Sequence, residues 1–454
     1  MKEIHKIRNI DKVNIIGAGL AGCECAYILA KHGVHVDLYE MKPKYKSPAH
    51  HSNNFAELVC SNSLKSKELT NACGLLKEEM ARLGSIMMEA AKCSEVIAGA
   101  SFNVDRDKFS EYITQKIKSC SNITIHYEEV EDLQSLSGIV IIATGPLTSD
   151  KLSLSIAKLI GEQKLYFYDA AAPIILKESI DMDIAYYKDR WNEESLGDYL
   201  NLPMTEEEYN TFYNELIIAR KASRHSFDTL DVKNFEGCMP IEDMASRGIK
   251  TLLYGPLKPV GLRKTPEDRP YAVVQLRPEN EEKTMYNMVG FQTSLAFPEQ
   301  KRIFSLIPGL KNAEFIRYGV MHKNTYINAP TLLGVGYKLK QEYVNAFSSN
   351  IQAVYFAGQI SGVEGYVESA ASGMTIAYKL LYDIDFPELT MLGALEHYII
   401  KPNKDFQPMN ANFGIVPELE TKIRDKKEKY AFYAKRALDE LTNIIETKLG
   451  GKII

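Results

Sequence analysis

The feature that most constrains this chain is a glycine motif near its start, Gly17-Ala18-Gly19-Leu20-Ala21-Gly22, which has the spacing GxGxxG. The apolar run 13–16 before it is typical of a buried parallel strand, and the residues after it have helical spacing up to about Gly33. A second strand over residues 34–40 then ends on the carboxylate of Glu40. Strand, glycine loop, helix, strand and acid in this order predict a dinucleotide site rather than a structural turn.

The glycines of this motif have distinct mechanical roles. Gly17 makes the tight turn, Gly19 lets the backbone approach a pyrophosphate, and Gly22 allows close contact between helix and strand. The N-terminus of the helix presents unpaired N–H groups to the phosphates. Glu40 lies where an acid accepts hydrogen bonds from a ribose hydroxyl pair, which favours FAD or NAD over NADP. The other residues that we assign to this binding loop are Ala18, Leu20 and Ala21.

Two later segments favour FAD over NAD. Residues 138–145 have the pattern of a buried strand ending in Ala-Thr-Gly, a turn that recurs in flavoproteins with two dinucleotide sites. Residues 354–373 combine a strand, a glycine loop and a helix of small residues, a pattern typical of a backbone nest facing a ribityl chain and flavin ring. A tightly packed helix that only needs small side chains is the alternative for this segment alone. The glycines that we assign to the flavin site are Gly145, Gly358, Gly365 and Gly373.

These motifs at both chain ends predict the domain organisation. We expect a Rossmann-like α/β domain that binds FAD, made of residues 1–170 and 345–454. The intervening residues 171–344 are polar and aromatic at first and then alternate short strands with long loops, which predicts an inserted α+β substrate domain. Its expected short strands are 251–254, 271–276 and 286–292, and the last stretch of the chain, 422–449, has the spacing of an amphipathic helix.

Composition narrows the cellular setting. The seven cysteines show no CxxC pair, so neither a disulfide scaffold nor a metal site is predicted. The start of the chain lacks an apolar signal region, and no apolar run approaches the ~18 residues of a membrane span. We therefore expect a cytoplasmic protein with no membrane association and no obligate protein partner. The net charge of −5 means that a polyanion would have to bind a local basic patch.

Two of the cysteines lie in loops that favour chemistry over packing. Cys60 is followed by Ser61, Asn62 and Ser63 rather than by an apolar run. Cys238 lies in 235–240, a loop bounded by glycine and proline. Loops of this kind display side chains, whereas a buried inert thiol is the ordinary state of a single cysteine.

Together the motifs resemble one family, the folate- and FAD-dependent methylenetetrahydrofolate–tRNA-(uracil-5-)-methyltransferases (TrmFO). The resemblance extends from Val13 to Gly414 and therefore covers nearly the whole chain. Several of the motifs have no general role in flavoproteins, which makes the match specific. They are VNIIGAGLAGCE, YEMKP, PAHHS, FAELVCSNSLKS, GLLKEEM, VDRDKF, IIATGPLTS, YFYDAAAPI, FEGCMPIE, RPYAVVQLR, NMVGFQT, RYGVMHKNTYINAP, YFAGQISGVEGYVESAASG and FQPMNANFG.

The resemblance implies a fold, a reaction and its cofactors. The FAD domain would be of the glutathione-reductase type, and FAD reduced by NADPH or NADH would convert the methylene of methylenetetrahydrofolate into the methyl group placed on uridine C5. The T-loop uridine of tRNA would be the substrate. The nucleophilic cysteine of the family matches Cys238, and its second mechanistic cysteine matches Cys60. His50 and His51 are candidates for orienting folate or relaying a proton.

The chemistry of uracil agrees with these roles. Its C5 is not nucleophilic until a group adds to C6, and a thiolate is the side chain best suited to that reversible addition. A base must then remove the C5 proton, and a second thiolate or a nearby histidine has the required chemistry.

Three alternatives remain at this stage. Residues 97–106 depart from the usual family segment, which leaves open a branch that methylates large-subunit ribosomal RNA by the same chemistry. A related flavoprotein family modifies the tRNA wobble uridine with a partner GTPase, but it requires a long C-terminal helical domain. A flavin-bound RNA-binding protein without catalysis is the third. The cations expected to hold RNA are Lys42, Lys44, Lys46, Lys65, Lys67, Lys258, Arg263 and Lys264.

Overall fold

The computed structural model describes residues 8, 10–47, 49–98, 101–161, 164–170, 172–190, 197–222, 239–279, 283–319, 321–403, 406–421 and 423–451. Its strands are β1 (Lys12–Ile16), β2 (His35–Tyr39), β3 (Ser63–Ser66), β4 (Glu95–Ala98), β5 (Ser101–Val104), β6 (Ile123–His126), β7 (Gly138–Ile142), β8 (Lys164–Ala170), β9 (Ile174–Leu176), β10 (Tyr186–Tyr187), β11 (Leu200–Met204), β12 (Ala272–Pro278), β13 (Met285–Met288), β14 (Phe315–Arg317), β15 (Met321–Ile327), β16 (Leu333–Gly334), β17 (Lys338–Leu339) and β18 (Ile351–Phe356).

Its helices are α1 (Leu20–Lys31), α2 (Ala72–Arg82), α3 (Ile86–Cys93), α4 (Arg106–Ser119), α5 (Asp150–Ile160), α6 (Glu206–Ile218), α7 (Ile241–Ser246), α8 (Thr251–Tyr254), α9 (Phe297–Phe304), α10 (Ala329–Leu332), α11 (Gln341–Phe347), α12 (Tyr366–Tyr382), α13 (Met391–Ile400) and α14 (Lys426–Lys448).

A seven-stranded sheet joins the two ends of the chain, in the order β16-β17-β18-β7-β1-β2-β6. The five strands from β18 to β6 are parallel, and β16 and β17 extend the sheet in antiparallel fashion. The central strands are apolar and buried on both faces, as expected where helices cover a parallel sheet. The Rossmann-like α/β domain built from both chain ends is therefore confirmed.

A second, antiparallel sheet is formed by the middle of the chain, in the order β10-β11-β12-β13-β9-β14. It has its own hydrophobic core, in which Tyr209 and Phe212 of α6 and Phe304 of α9 are fully buried. This is the expected inserted α+β unit. The boundaries at 170 and 344 stay a prediction, and β16 and β17 pair with the first sheet.

Two expectations about single elements differ from the structure. Residues 251–254 form the helical turn α8 rather than a strand, because the chain turns at Gly248 and buries Leu252 one residue into the turn. A four-residue apolar run does not distinguish strand from helix. The strand expected over 286–292 ends at Met288, where the N–H of Phe291 turns back to the Met288 carbonyl. The amphipathic helix expected near the end of the chain is confirmed as α14.

Candidate active site

A cleft lies at the carboxyl ends of β1, β7 and β18, where open α/β sheets bind their ligands. Its walls are formed by the loop after β1, the segment 39–42, the loop 143–149 and the start of α12. The predicted site residues that line it are Gly17, Ala18, Gly19, Leu20, Ala21, Glu40, His50, Gly145 and Gly358.

Close backbone contacts explain the glycines of the first motif. Gly17 has a φ of +102°, and a Cβ on it would lie 2.6 Å from the carbonyl oxygen of Ala143. A Cβ on Gly22 would lie 1.9 Å from the carbonyl oxygen of Gly17. Gly22 does not line the cleft, so its contribution is the tight turn of the loop into α1.

The second glycine segment, residues 354–373, packs against the elements that form the wall of the same cleft. A Cβ on Gly373 would lie 2.2 Å from the carbonyl oxygen of Ala21, so α12 packs directly against the start of α1. Gly365 is the N-cap of α12 and has no side chain to cap the helix. Among the residues we assigned to the flavin, Gly365 and Gly373 do not line the cleft, and they position its wall.

Glu40 is buried at the end of β2 and faces the cleft. Its Oε2 accepts a hydrogen bond of 3.0 Å from the N–H of Ala18, and its Oε1 accepts one of 2.9 Å from the N–H of Lys42. A carboxylate has about four acceptor positions. Two backbone bonds therefore fix the side chain and leave acceptor capacity for ribose hydroxyls.

These features fit an FAD. Gly19 is the N-cap of the 12-residue helix α1, and Gly365 is the N-cap of the 17-residue helix α12. Neither glycine has a side chain to cap its helix, so the first N–H groups of both helices are not used by a cap side chain. Such helix starts favour the negative charge of a pyrophosphate. The glycine loop, Glu40 and the start of α12 are the parts of this chain that would hold the cofactor.

The two histidines have different environments. His50 lines the cleft, and its Nδ1 forms a hydrogen bond of 2.6 Å with the Oγ of Ser47. His51 is exposed and does not line the cleft, and its backbone N–H donates to Oε1 of Glu57 at 2.9 Å. Only His50 therefore has a side chain at the cleft.

Cys60 is half-buried beside the cleft wall. Its backbone N–H donates to the hydroxyl oxygen of Tyr366 at 2.6 Å, and the N–H of Ser61 donates to the same oxygen at 3.0 Å. Tyr366 and Val59 both line the cleft. Burial, reinforced by the charge of Cys60, raises the pKa of Tyr366, so its hydroxyl keeps the proton. The thiol is thus carried on a loop attached to the start of α12.

The other side of this loop is held by the inserted unit, through residues at the end of β12. Arg106 donates from Nε to Oε2 of Glu279 at 2.7 Å and from Nη1 to the carbonyl oxygen of Leu58 at 2.9 Å. Arg277 donates from Nε to Oδ1 of Asn62 at 3.0 Å. Asn62 is fully buried and donates in turn to the carbonyl oxygen of Pro278 at 3.0 Å. We call this set the Cys60 clamp: Asn62, Arg106, Arg277, Glu279 and Tyr366.

Local structure positions Arg106 of the clamp. Arg106 is the first residue of α4, whose N-cap Asp105 accepts hydrogen bonds from the N–H groups of Asp107 and Lys108. Burial alone would lower the pKa of Arg106, but the charge of Glu279 raises it, so the guanidinium stays charged.

A third arginine, Arg317, lies near the same loop. Arg317 at the end of β14 has its pKa lowered, first by burial and then by the charge of Arg106. Its Nη2 is buried and has no hydrogen-bond partner in the part of the chain that the structure describes.

Sequence reasoning missed the clamp residues and Arg317 as site residues. All of them except Glu279 lie inside a motif that supports the family resemblance, such as VDRDKF for Arg106 and RYGVMHKNTYINAP for Arg317. Membership of a long motif without a general flavoprotein role was the available signal. The motif does not say which of its residues contact one another.

The predicted nucleophile Cys238 lies outside the described residues. The chain on either side of it is attached to one segment, since Ala222 N–H donates to the carbonyl of Ser294 at 2.8 Å and Ile241 N–H to the carbonyl of Gln292 at 2.7 Å. Its role stays a prediction.

The cations predicted to hold RNA differ in availability. The prediction that Lys42 contacts phosphate is wrong, because its side chain is buried and donates a hydrogen bond to the carbonyl of Asn54. Lys65 pairs with Glu368 at 3.0 Å, and Lys67 pairs with Glu95. Lys258 is half-buried, whereas Lys44, Lys46, Arg263 and Lys264 are exposed and form no ion pair with the residues that the structure describes.

Neither a metal site nor a membrane-spanning helix is present in the described ranges. No group of three or more His, Cys, Asp or Glu side chains there has the arrangement of a metal site. None of the helices within those ranges has both the length and the apolar character to cross a bilayer.

Comparisons with known proteins identify the family. The model of the glucose inhibited division protein A family matches residues 12–385. The methylenetetrahydrofolate–tRNA-(uracil-5-)-methyltransferase TrmFO of Enterococcus faecalis is 54% identical over 445 residues, which cover 96% of this chain and 99% of that protein. The protein of the same name from Acetivibrio thermocellus is 54% identical over 444 residues, with the same coverage of both chains.

Among solved structures, Aquifex aeolicus GidA in its form II crystal is similar to this chain with a TM-score of 0.65, at 15% identity, over 97% of this chain and 74% of that one. A likeness at this identity supports the fold alone. The family follows from the sequence relatives, and the chain belongs to the methylenetetrahydrofolate–tRNA-(uracil-5-)-methyltransferase TrmFO family.

Proposed function

We propose that this chain methylates C5 of a uridine in tRNA, with methylenetetrahydrofolate as the carbon donor and FAD as the bound cofactor, reduced by NADPH or NADH. The names of the relatives at 54% identity support the methylation of tRNA uracil and the folate donor. The fit of the cleft supports FAD. The geometry that carries the proposal is the attachment of the Cys60 loop to Tyr366, because it holds a candidate catalytic thiol beside the flavin cleft.

Different residues of this chain carry out the successive steps of the reaction. The Cys238 thiolate adds to C6 of uracil, so that a C–S bond forms and the electrons of the C5–C6 bond make C5 nucleophilic. The Cys60 side chain or His50 accepts the C5 proton once the one-carbon unit is attached to C5. Loss of that proton expels tetrahydrofolate from the carbon attached to C5. FAD, when bound in its reduced form, would supply the hydride that makes this carbon a methyl group, and departure of the Cys238 sulfur from C6 then restores the C5–C6 double bond.

The clamp explains why the loop has its position. Three side chains of the clamp come from the cofactor domain and two from the inserted unit, so the loop spans the junction between them. A substrate held by the inserted unit is thereby brought to the cleft wall. The Tyr366 hydroxyl accepts two backbone N–H groups and retains its own proton as a donor at the cleft.

The test is methyl transfer by variants of single cysteines. Purified protein is incubated with an unmodified tRNA transcript, methylenetetrahydrofolate, FAD and NADPH or NADH, and 5-methyluridine is measured by nucleoside mass spectrometry. We expect Cys238→Ala to reduce the rate by at least about a thousandfold, because it removes the nucleophile. Cys93→Ala is the matched control, since Cys93 is an exposed thiol at the end of α3.

Wild-type protein that forms no 5-methyluridine in tRNA would contradict the proposal, and so would a Cys238→Ala variant of undiminished activity. Nucleosides from the tRNA and ribosomal RNA of a strain lacking the gene decide between the two RNA substrates. Loss of 5-methyluridine from ribosomal RNA alone would show that ribosomal RNA, and not tRNA, is the substrate.

A further inference from the structure

One surface segment of the inserted unit has a charge opposite to that of the chain. Residues 247–269 contain six basic and two acidic residues, a net charge of +4, whereas the whole chain has a charge of −5. Among the described residues, no carboxylate lies within ion-pair distance of Lys250, Arg263 or Lys264, and all three are exposed. The rest of the chain therefore has a net charge of −9, and this segment is where a polyanion would be attracted.

An aromatic side chain stands within this basic segment. Tyr254, the last residue of α8, is 81% exposed. Its neighbour Leu252 is fully buried in the second hydrophobic core, so the turn that carries Tyr254 is fixed while the ring faces solvent. An exposed ring among cations is the combination on which unpaired bases stack while their phosphates are neutralised.

The loop that follows is held rigidly. Arg190 donates from Nη1 to the carbonyl oxygens of Lys258 at 2.9 Å and Val260 at 2.6 Å, and from Nη2 to Oε1 of Gln275 at 3.0 Å. The N–H of Val273 donates to the carbonyl of Leu257 at 3.1 Å. The segment is thus attached to the first half of β12.

The same strand leads to the Cys60 clamp. Its end supplies Arg277, and Glu279 follows it. A strand of seven residues spans about 20 Å, which equals about six stacked nucleotides at ~3.4 Å each. This strand therefore connects the basic segment to the cysteine loop over a length of about six nucleotides.

We propose that residues 247–269 form a docking surface for unpaired nucleotides of the RNA substrate, with Tyr254 stacking on a base and Lys250, Arg263 and Lys264 contacting phosphates. This proposal rests on the proposed function, because it takes RNA as the substrate.

The test measures binding of an unmodified tRNA transcript to the full chain over a range of salt concentrations. We expect Tyr254→Ala to weaken binding about fivefold or more and Tyr254→Phe to retain it, since phenylalanine keeps the ring. The double variant Arg263→Gln/Lys264→Gln should reduce the slope of log K against log salt by about 1.4–1.8. The matched control is Phe432→Ala/Lys427→Gln on α14, where both side chains are also exposed.

Poly-glutamate serves as a second probe. Equal weakening of tRNA and poly-glutamate binding by Arg263→Gln/Lys264→Gln, with no effect of Tyr254→Ala, would show a general polyanion surface and overturn the proposal. Unchanged tRNA binding in all of the 254, 263 and 264 variants, or equal weakening in the α14 control, would also overturn it. Wild-type protein that neither binds nor methylates tRNA contradicts the proposed function instead, and circular dichroism establishes that each variant is folded.

Discussion

The glycine-lined cleft and the Cys60 clamp adjoin each other, yet different interactions hold them. In the cleft, backbone meets backbone: a Cβ on Gly22 would lie 1.9 Å from the Gly17 carbonyl oxygen, five residues away in sequence. In the clamp, side chains bridge distant parts of the chain, since Tyr366 and Cys60 are separated by 306 positions and Arg277 and Asn62 by 215. The glycine turn after β1 follows from local sequence, whereas the clamp exists only after both domains have folded.

This difference predicts how each region responds to substitution. A region built on backbone contacts tolerates no added volume, because the opposing atoms belong to the main chain. A region built on side-chain pairs tolerates changes in volume but loses stability when one buried charge is left without its partner.

The largest effect is expected from Gly373→Ala. Alanine is favoured over glycine in a helix by about 1 kcal/mol, but a Cβ here would lie 2.2 Å from the Ala21 carbonyl oxygen. Helices α1 and α12 would have to separate, and we expect the free energy of unfolding to fall by about 3 kcal/mol or more, with loss of bound flavin. Chemical denaturation and the visible absorption of the purified protein measure the two effects.

Gly334→Ala is the control for that substitution, because the nearest atom to its Cβ would be the Lys338 carbonyl oxygen at 4.0 Å. Its backbone is extended, with a φ of −119°. A Gly373→Ala protein as stable as Gly334→Ala would show that the cleft is not built on this backbone contact.

The next effect is expected at the clamp. Arg106→Gln leaves the buried Glu279 carboxylate without its guanidinium, which costs about 3 kcal/mol of unfolding free energy. The double variant Arg106→Gln/Glu279→Gln should recover part of this loss, since the unpaired charge is gone. A double-mutant cycle by denaturation measures the coupling, and alkylation of Cys60 followed by mass spectrometry should become faster in the single variant as the loop loosens.

Arg302→Gln provides the comparison on the surface. Arg302 pairs with Glu299 at 2.7 Å, but both side chains are partly exposed, and the expected loss is below about 1 kcal/mol. If Arg106→Gln and Arg302→Gln lowered the free energy of unfolding equally little, the Cys60 loop would be held by Tyr366 and the backbone rather than by the ion pair of Arg106 and Glu279.

The same contrast explains what the sequence could predict. The strand–loop–helix order around Gly17, the acid at Glu40 and the return of the chain end near Gly358 follow from local spacing, and the structure confirms all three elements. Backbone geometry demands glycine at fixed offsets, so the pattern is visible without knowledge of the fold.

No comparable spacing in the sequence indicates the contacts of the clamp. Arg106 and Glu279 are 173 positions apart, and each is an ordinary charged residue in its own segment. The same reason explains the error at Lys42: its position beside a polar loop suggested exposure, but Asn54 and Glu57 enclose its amine. Pairing and burial depend on long-range packing, which residue spacing does not encode.

The smallest effect concerns two buried carboxylates, Glu24 in α1 and Glu279 in the clamp. Glu24 in α1 is fully buried, its Oε2 accepts a hydrogen bond of 3.1 Å from the N–H of Met87, and its Oε1 has no partner among the described residues. Burial raises the pKa of Glu24 to about 7. Glu279, in contrast, is paired with a guanidinium.

Because the pKa of Glu24 is higher in the folded than in the unfolded chain, folding favours its protonated form. The protonated form of Glu24 contributes its full stabilisation at pH values below 4.5, the ordinary pKa of a glutamate. This stabilisation is lost as the pH rises towards 7. Glu24→Gln removes the charge and keeps the acceptor for Met87. We therefore expect the free energy of unfolding of Glu24→Gln to exceed that of the wild type by about 1–2 kcal/mol at pH 8. This difference should disappear near pH 5.

Glu79→Gln is the matched control for this pH dependence. Burial raises the pKa of Glu79 to about 7 as well, but both of its oxygens accept N–H groups, from Met391 at 2.8 Å and Leu392 at 2.9 Å. The amide of glutamine would place an NH₂ group against one of these donors, so Glu79→Gln should destabilise the protein at pH 8 although it also removes a charge. Denaturation curves at pH 5 and pH 8 measure both variants. A gain in both at pH 8 would mean that the charge alone sets the cost, and that the backbone donors around a buried carboxylate in the cofactor domain contribute little to its fit.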